Sequence, residues 1–194
     1  MGKEGLFMRI AFFSTKPYDR IWFEPMAKDY GYEIYFIELP FSEETMFLAK
    51  GYDAACIFVN DHVNGKMIDY LYENKVKALL LRSAGYNHVD VKAAKGKIEV
   101  LRVPSYSPEA VAEFAMAMLL TVNRFTHKAY GRTREFNMNI NGLMGTDLFH
   151  KVAGVIGTGK IGQAMIRIFQ GFRMNILAYD PYPNKSLDVQ YVGL

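Results

Sequence analysis

Along the first hundred residues, short unbroken apolar runs alternate with stretches whose apolar positions recur every third or fourth residue. The runs are MRIAFFS (8–14), YEIYFIEL (32–39), AACIFV (54–59), KALLLRS (77–83) and IEVLRV (98–103). Each reads as a strand, and the scarcity of strict alternation marks strands buried on both faces. Between them, Pro17 in a first-turn position and Gly31 as stop bound one helix, which Pro25 is expected to break or restart. Ser42 as N-cap and Gly51 as stop frame a second helix, and GKMIDYLYEN and DVKAAKGK supply two more. Strand and helix in alternation predict an α/β fold, with a five-stranded, flavodoxin-like parallel sheet over residues 1–105.

A different pattern begins at SPEAVAEFAMAMLLTVNRF. Ser107 suits an N-cap, Pro108 the first helical position, and Glu109 the positive end of the helix dipole. Val111, Ala115, Met118 or Leu119, and Val122 recur at helical spacing, which makes one face apolar. This helix reads equally well as a connector between two domains and as a core helix, and the two are compatible. Residues 130–150 hold glycines and asparagines with little periodicity, and predict a long loop of the functional or interfacial kind. Residues 106–194 make up the second domain in this reading.

The segment VAGVIGTGKIG (152–162) runs an apolar strand into a glycine-spaced turn. Gly157, Gly159 and Gly162 have the spacing G-x-G-x-x-G, a weak pattern when it stands alone. Here it follows a strand, opens the helix KIGQAMIRIFQGF, and leads to a second strand, MNILAYD. Gly157 permits the tight turn, Gly159 lets a pyrophosphate approach the backbone, and Gly162 allows close packing of helix on strand. Thr158, Lys160 and Ile161 fill the intervening positions, and the helix start offers N–H groups and a positive dipole end to phosphates. Lys160 is not a P-loop lysine, because Ile161 stands where that motif needs Ser or Thr. Asp180 ends the second strand 18 residues after Gly162, where an acid accepts hydrogen bonds from ribose hydroxyls and repels a 2′-phosphate. The expected cofactor is therefore NAD rather than NADP.

Composition trims the alternatives. A net charge of +3, with Lys and Arg scattered along the chain, gives no basic stripe for nucleic acid. His62, His88, His127 and His150 lie far apart in the chain, so no metal site is expected. The single cysteine, Cys56, sits in an apolar run and reads as a buried small hydrophobe, which suits the cytoplasm. No apolar run approaches the roughly 18 residues of a membrane span. Arg9 interrupts LFMRIAFF, and Leu6 stands where a myristoylation signal needs Ser or Thr, so neither a secretory leader nor a lipid anchor is expected.

Taken together, LRSAGYNHVD (81–90), VPSYSPEAVAEFA (103–115), GVIGTGKIGQ (154–163) and AYDPYPN (178–184) resemble, in the same order, the NAD-dependent D-2-hydroxyacid dehydrogenases. The wording is nearest to the members that reduce pyruvate to D-lactate, and the resemblance runs from about Met8 to Leu194. It implies a substrate-binding domain followed by the first part of a Rossmann domain. It also implies NAD as cofactor, a small 2-keto or 2-hydroxy acid as substrate, and a homodimer through the connector-helix region. Carried over by position, the backbone N–H groups of Ala84 and Gly85 face the substrate carboxylate, and Tyr106 reaches the substrate region. Gly85 ends a strand in a loop, where backbone can approach a ligand closely. On its own residues Tyr106 is as readily an ordinary loop aromatic, and Ser83 is placed to hydrogen-bond nearby.

The Arg, His and Glu that the resemblance assigns to catalysis match no position here. Arg82, Arg124, Arg132, His88, His127 and His150 all stand elsewhere. The expectation is therefore an N-terminal part of such an enzyme, with no catalytic residue and no activity alone. Residues 1–7 are expected to be an extension or a misassigned start. Two other readings stay open: a dehydrogenase of a related acid such as glycerate or phosphoglycerate, and a non-catalytic NAD-binding or dimerising scaffold.

Overall fold

Five parallel strands form the first sheet of the structure, a computed structural model that describes residues 8–194. The expectations about residues 1–7 lie outside the described residues. The strands are β1 (Arg9–Phe12), β2 (Glu33–Phe36), β3 (Ala54–Ile57), β4 (Ala78–Leu81) and β5 (Glu99–Arg102), in the order β2-β1-β3-β4-β5. This is the flavodoxin-like order, whose switch point lies between β1 and β3. Every residue of β3 is buried. Ala55 and Ile57 join Ala11, Phe13, Leu79 and Leu81 on one face, while Ala54 and Cys56 join Ile10 and Phe12 on the other. The unbroken apolar run of β3 is the consequence of those two covered faces, whereas the edge strands β2 and β5, also expected to be buried on both faces, leave Tyr35 and Leu101 exposed.

Helix α1 (Pro17–Tyr30) continues through Pro25, contrary to the expected break, and stops at Gly31 in the left-handed conformation. Pro25 removes one intrahelical donor. The residue whose carbonyl loses that donor, Ile21, is 67% exposed, so water can take its place. The stretch after Ser42 is not an α-helix but a short 3₁₀ turn, Met46–Ala49. Thr45 Oγ1 donates to the Pro40 carbonyl (2.5 Å) and accepts from the Ser42 amide (2.9 Å), local bonds that compete with a helical ladder. Helix α2 (Gly65–Glu73) is capped by the Asn64 side chain, and α3 (Val91–Ala94) by Asp90.

The chain divides into two compact units between Tyr106 and Ser107. The second unit begins with α4 (Pro108–Arg124), capped by the Ser107 side chain, and α5 (Thr126–Arg134), set off by Phe125 at a φ of 53°. Thus α5 takes the first part of the stretch expected to be loop. The remainder is tied down by Arg132, which donates to the carbonyls of Asn139 and Asn141, and by Asn123, which bonds Thr146. Strands β6 (Val152–Ile156), β7 (Asn175–Tyr179) and β8 (Gln190–Tyr191) lie parallel in that order, with α6 (Lys160–Gly171) between the first two.

The packed face of α4 differs from the one expected. Ala112 and Met116 are the buried residues of the helix, and Met116 packs with Ile166 and Phe169 of α6. Val111, Met118 and Val122, with Phe114, form an exposed stripe instead. Both faces of this helix are apolar, so periodicity alone does not say which is covered.

Candidate functional site

Each unit carries one candidate subsite, and each is built by a loop at the C-terminal end of a parallel strand, where ligands of open α/β sheets bind. In the second unit that loop is the glycine turn after β6. Gly157 has a φ of 90°, a conformation that L side chains resist. Gly162 is required for a different reason: a Cβ there would lie 2.0 Å from the Gly157 carbonyl oxygen. At Gly159 a Cβ would meet nothing within 4 Å, so the turn is open on the side where a phosphate could sit. The α6 N-terminus follows at Lys160, and its first turn presents N–H groups that the helix itself does not use.

Asp180, just after β7, is tied to this turn. Its Oδ2 accepts from the Thr158 amide (2.7 Å) and hydroxyl (3.0 Å), and its Oδ1 accepts from the Tyr182 amide (2.9 Å). The Thr158 N–H, then the Tyr182 N–H and the Thr158 hydroxyl, hold this carboxyl below the usual carboxylate range. Behind it, the Tyr191 hydroxyl donates to Thr158 Oγ1 (3.0 Å) and accepts from the Asn184 amide (3.0 Å). Gln163 reaches back to the Thr158 carbonyl at 2.9 Å. The acid is therefore a pin for the turn as well as a candidate ribose acceptor. Tyr191 could not be singled out from the sequence, because its partners Thr158 and Asn184 follow no spacing rule.

In the first unit the loop follows β4. The Ser83 carbonyl accepts from the Val103 amide (3.1 Å), the Ala84 carbonyl from the Arg102 guanidinium (3.0 Å), and the Gly85 carbonyl from Ser83 Oγ (2.7 Å). In contrast, the amides of Ala84, Gly85 and Tyr86 donate to no group among the described residues. Three successive N–H groups are thus left available in a loop where Ala84 is half-buried and Gly85 and Tyr86 are exposed. Space above Gly85 is open, since a Cβ there would meet nothing within 4 Å. Backbone N–H groups grouped in this way suit an anion.

Arg82 anchors the root of this loop. Its guanidinium pairs with Asp19 at 3.1 Å, donates to the carbonyls of Phe13 and Ser14, and lies 4.1 Å from the Phe12 ring centroid. Ser14 in turn donates to Asp61 at 2.7 Å, and Asp61 accepts from the amides of Phe41 and Phe58. The C-terminal ends of β1, β3 and β4 are joined by this buried polar cluster. Sequence reading placed Arg82 away from any catalytic position, and here it serves the scaffold.

Tyr106 lies on the exposed loop after β5 and forms no hydrogen bond among the described residues. His88 is buried near its neighbour His62, and burial first, then the His62 charge, keeps its pKa below the ordinary histidine value. No histidine pairs with a carboxylate among the described residues, and no group of His, Cys, Asp or Glu there could hold a metal ion.

A family model described as the D-isomer specific 2-hydroxyacid dehydrogenase catalytic domain matches residues 10–179. The D-lactate dehydrogenase of Escherichia coli strain K12 is 47% identical over 191 residues, which is 96% of this chain and 58% of that protein. The apo-structure of D-lactate dehydrogenase from Escherichia coli superposes with a TM-score of 0.87 at 46% identity, over 96% of this chain and 60% of the other. A D-lactate dehydrogenase with NAD+ from Lactobacillus jensenii gives 0.72 at 27% identity, over 96% and 58% respectively. The chain thus spans a little under three fifths of the length of the curated relative it matches.

Proposed function

The chain belongs to the D-isomer specific 2-hydroxyacid dehydrogenase family, and from that premise we propose that it serves reduction of pyruvate to D-lactate with NADH. In this reading the first unit binds the 2-oxo acid and the second binds the adenosine side of the dinucleotide. The observation that carries it is the loop of three unengaged amides at Ala84, Gly85 and Tyr86, which suits a small carboxylate. Tyr106 lies later in the same unit and is assigned to the substrate region.

The turn at Gly157, Thr158, Gly159, Lys160, Ile161 and Gly162 fits a dinucleotide: it is open at Gly159 and leads into a helix N-terminus. A bound NADH supplies the hydride. This chain's own residues hold its pyrophosphate on the turn, and Asp180 accepts from a ribose hydroxyl and disfavours a 2′-phosphate. The Arg, His and Glu that the family resemblance assigns to catalysis match no position in this sequence, and the cation at the amide loop, Arg102, is engaged by the Ala84 carbonyl. The 194-residue chain alone is therefore expected to show no pyruvate-dependent NADH oxidation.

Two further assignments belong to this reading. A second copy of the chain is the partner proposed for α4 and α5, supported by the exposed stripe of Val111, Phe114, Met118 and Val122, with Tyr130 on α5. A cytoplasmic location suits the single buried thiol of Cys56. No helix among the described residues is long and apolar enough to cross a membrane.

A chimaera tests the function. Residues 1–194 joined to the complementary C-terminal part of the Escherichia coli relative should oxidise NADH with pyruvate, and NADPH poorly. A chimaera that folds, dimerises and binds NADH yet ignores pyruvate would contradict the substrate. Preference for a bulkier 2-oxo acid would favour the related-acid reading.

A further inference from the structure

We propose that Arg102 is a positioning residue for the anion subsite, holding the backbone of the loop after β4 so that its N–H groups face the ligand. The inference rests on the carboxylate reading given above and adds a residue to it. A trans peptide points its carbonyl and its following N–H in opposite directions, and the described residues contain no cis bond. The Ala84 carbonyl and the Gly85 N–H belong to one peptide unit, so fixing the first aims the second.

Arg102 Nη1 donates to the Ala84 carbonyl at 3.0 Å. The same nitrogen reaches the carbonyls of Val103 and Pro104 at 3.5 Å, and the guanidinium stands 5.5 Å from the Tyr86 ring centroid. One residue further, just past the end of β5, the Val103 amide holds the Ser83 carbonyl at 3.1 Å. Both carbonyls are thus drawn toward the end of β5, and the amides of Ala84 and Gly85 both point away from it. The next peptide is set separately, since Ser83 Oγ holds the Gly85 carbonyl at 2.7 Å.

Arg102 also adds charge. A guanidinium hydrogen-bonded to a carbonyl polarises that peptide and makes its N–H a stronger donor toward an anion. Arginine suits the task better than lysine, because its planar guanidinium donates through Nη1 to the Ala84 carbonyl while standing within cation–π range of the Tyr86 ring.

The test uses the ¹⁵N-labelled full chain, its Arg102→Gln and Arg102→Lys variants, and oxamate, an unreactive analogue of a 2-oxo acid. Backbone ¹⁵N relaxation at residues 84–86 reads the loop without ligand, and chemical shifts during the titration read the subsite. Wild type should show loop amides as ordered as β4. R102Q should lose that order at residues 84–86 only and weaken oxamate by about tenfold, with R102K recovering part of both. Unchanged loop order and unchanged oxamate affinity in R102Q would overturn the proposal. Loss of loop order in R102Q with no oxamate response in either protein supports the hold on the loop, and overturns the carboxylate reading instead.

Discussion

Strands β3 and β6 are both short apolar runs, β3 in the middle of its sheet and β6 at the edge of its own, and they are covered differently. Every residue of β3 is buried, with side chains from both faces in packed clusters. In β6 burial alternates: Ala153 and Val155 pack toward α4 and α6, while Val152 and Ile156 are 61% and 75% exposed. The central strand of the first sheet is thus covered on both faces, whereas the edge strand β6 is covered on one. The subsites differ in the same sense. The amide loop of the first unit is held at its root by Arg82 and at its crest by Arg102. The glycine turn of the second relies on a few hydrogen bonds centred on Thr158 and Asp180.

The largest expected effect comes from Arg82→Met. It removes one partner of a nearly buried ion pair and strands the Asp19 carboxylate, at a cost of about 3–5 kcal/mol. Cys56 reports on the unit concerned, because burial pushes its thiol up to about 12 and leaves it unreactive while the first unit is folded. The variant should expose Cys56 to a thiol reagent at denaturant concentrations that leave the wild type protected. Amides of β6 and β7 should keep their exchange rates under native conditions. Loss of protection in both units together would erase the distinction between them.

Gly162→Ala is the counterpart in the second unit. Its Cβ must displace the Gly157 carbonyl, so we expect a loss of about 1–3 kcal/mol, read by hydrogen exchange at β6 and α6. The protection of Cys56 should not change. A well-tolerated alanine would show that the helix can move away from the turn.

The smallest effect concerns Asp180. Its pKa is lowered in the folded state, so its contribution is complete above the ordinary carboxylate value and is lost as pH falls through the lowered one. The Thr158 amide shift should follow that titration, and Asp180→Ala should abolish it without unfolding either unit. The same variant should weaken dinucleotide binding and narrow the margin between NAD and NADP. An unchanged margin would leave the acid as a pin only.

Much of this was legible in the sequence because local chemistry enforces it. The glycine spacing, the cap at Ser107 and the unbroken runs of β1, β3 and β4 are near-neighbour signals. What escaped detection depends on partners distant in the chain. Arg82 meets Asp19 across 63 residues and Tyr191 meets Thr158 across 33, and neither pair has a spacing rule. Pro25 misled because a break is only a tendency, set aside where the freed carbonyl faces water. The faces of α4 misled because both are apolar, and only packing against α6 distinguishes them.

The central claim is that each unit holds its own subsite, an amide loop for a carboxylate and a glycine turn for a dinucleotide. The most direct test is one ¹⁵N-labelled sample of the chain titrated with oxamate and, separately, with ADP-ribose. Oxamate should shift the amides of Ala84, Gly85 and Tyr86, and ADP-ribose those of residues 157–162 with Asp180. Oxamate shifts centred outside residues 84–86, or ADP-ribose leaving the glycine turn unmoved, would contradict the account.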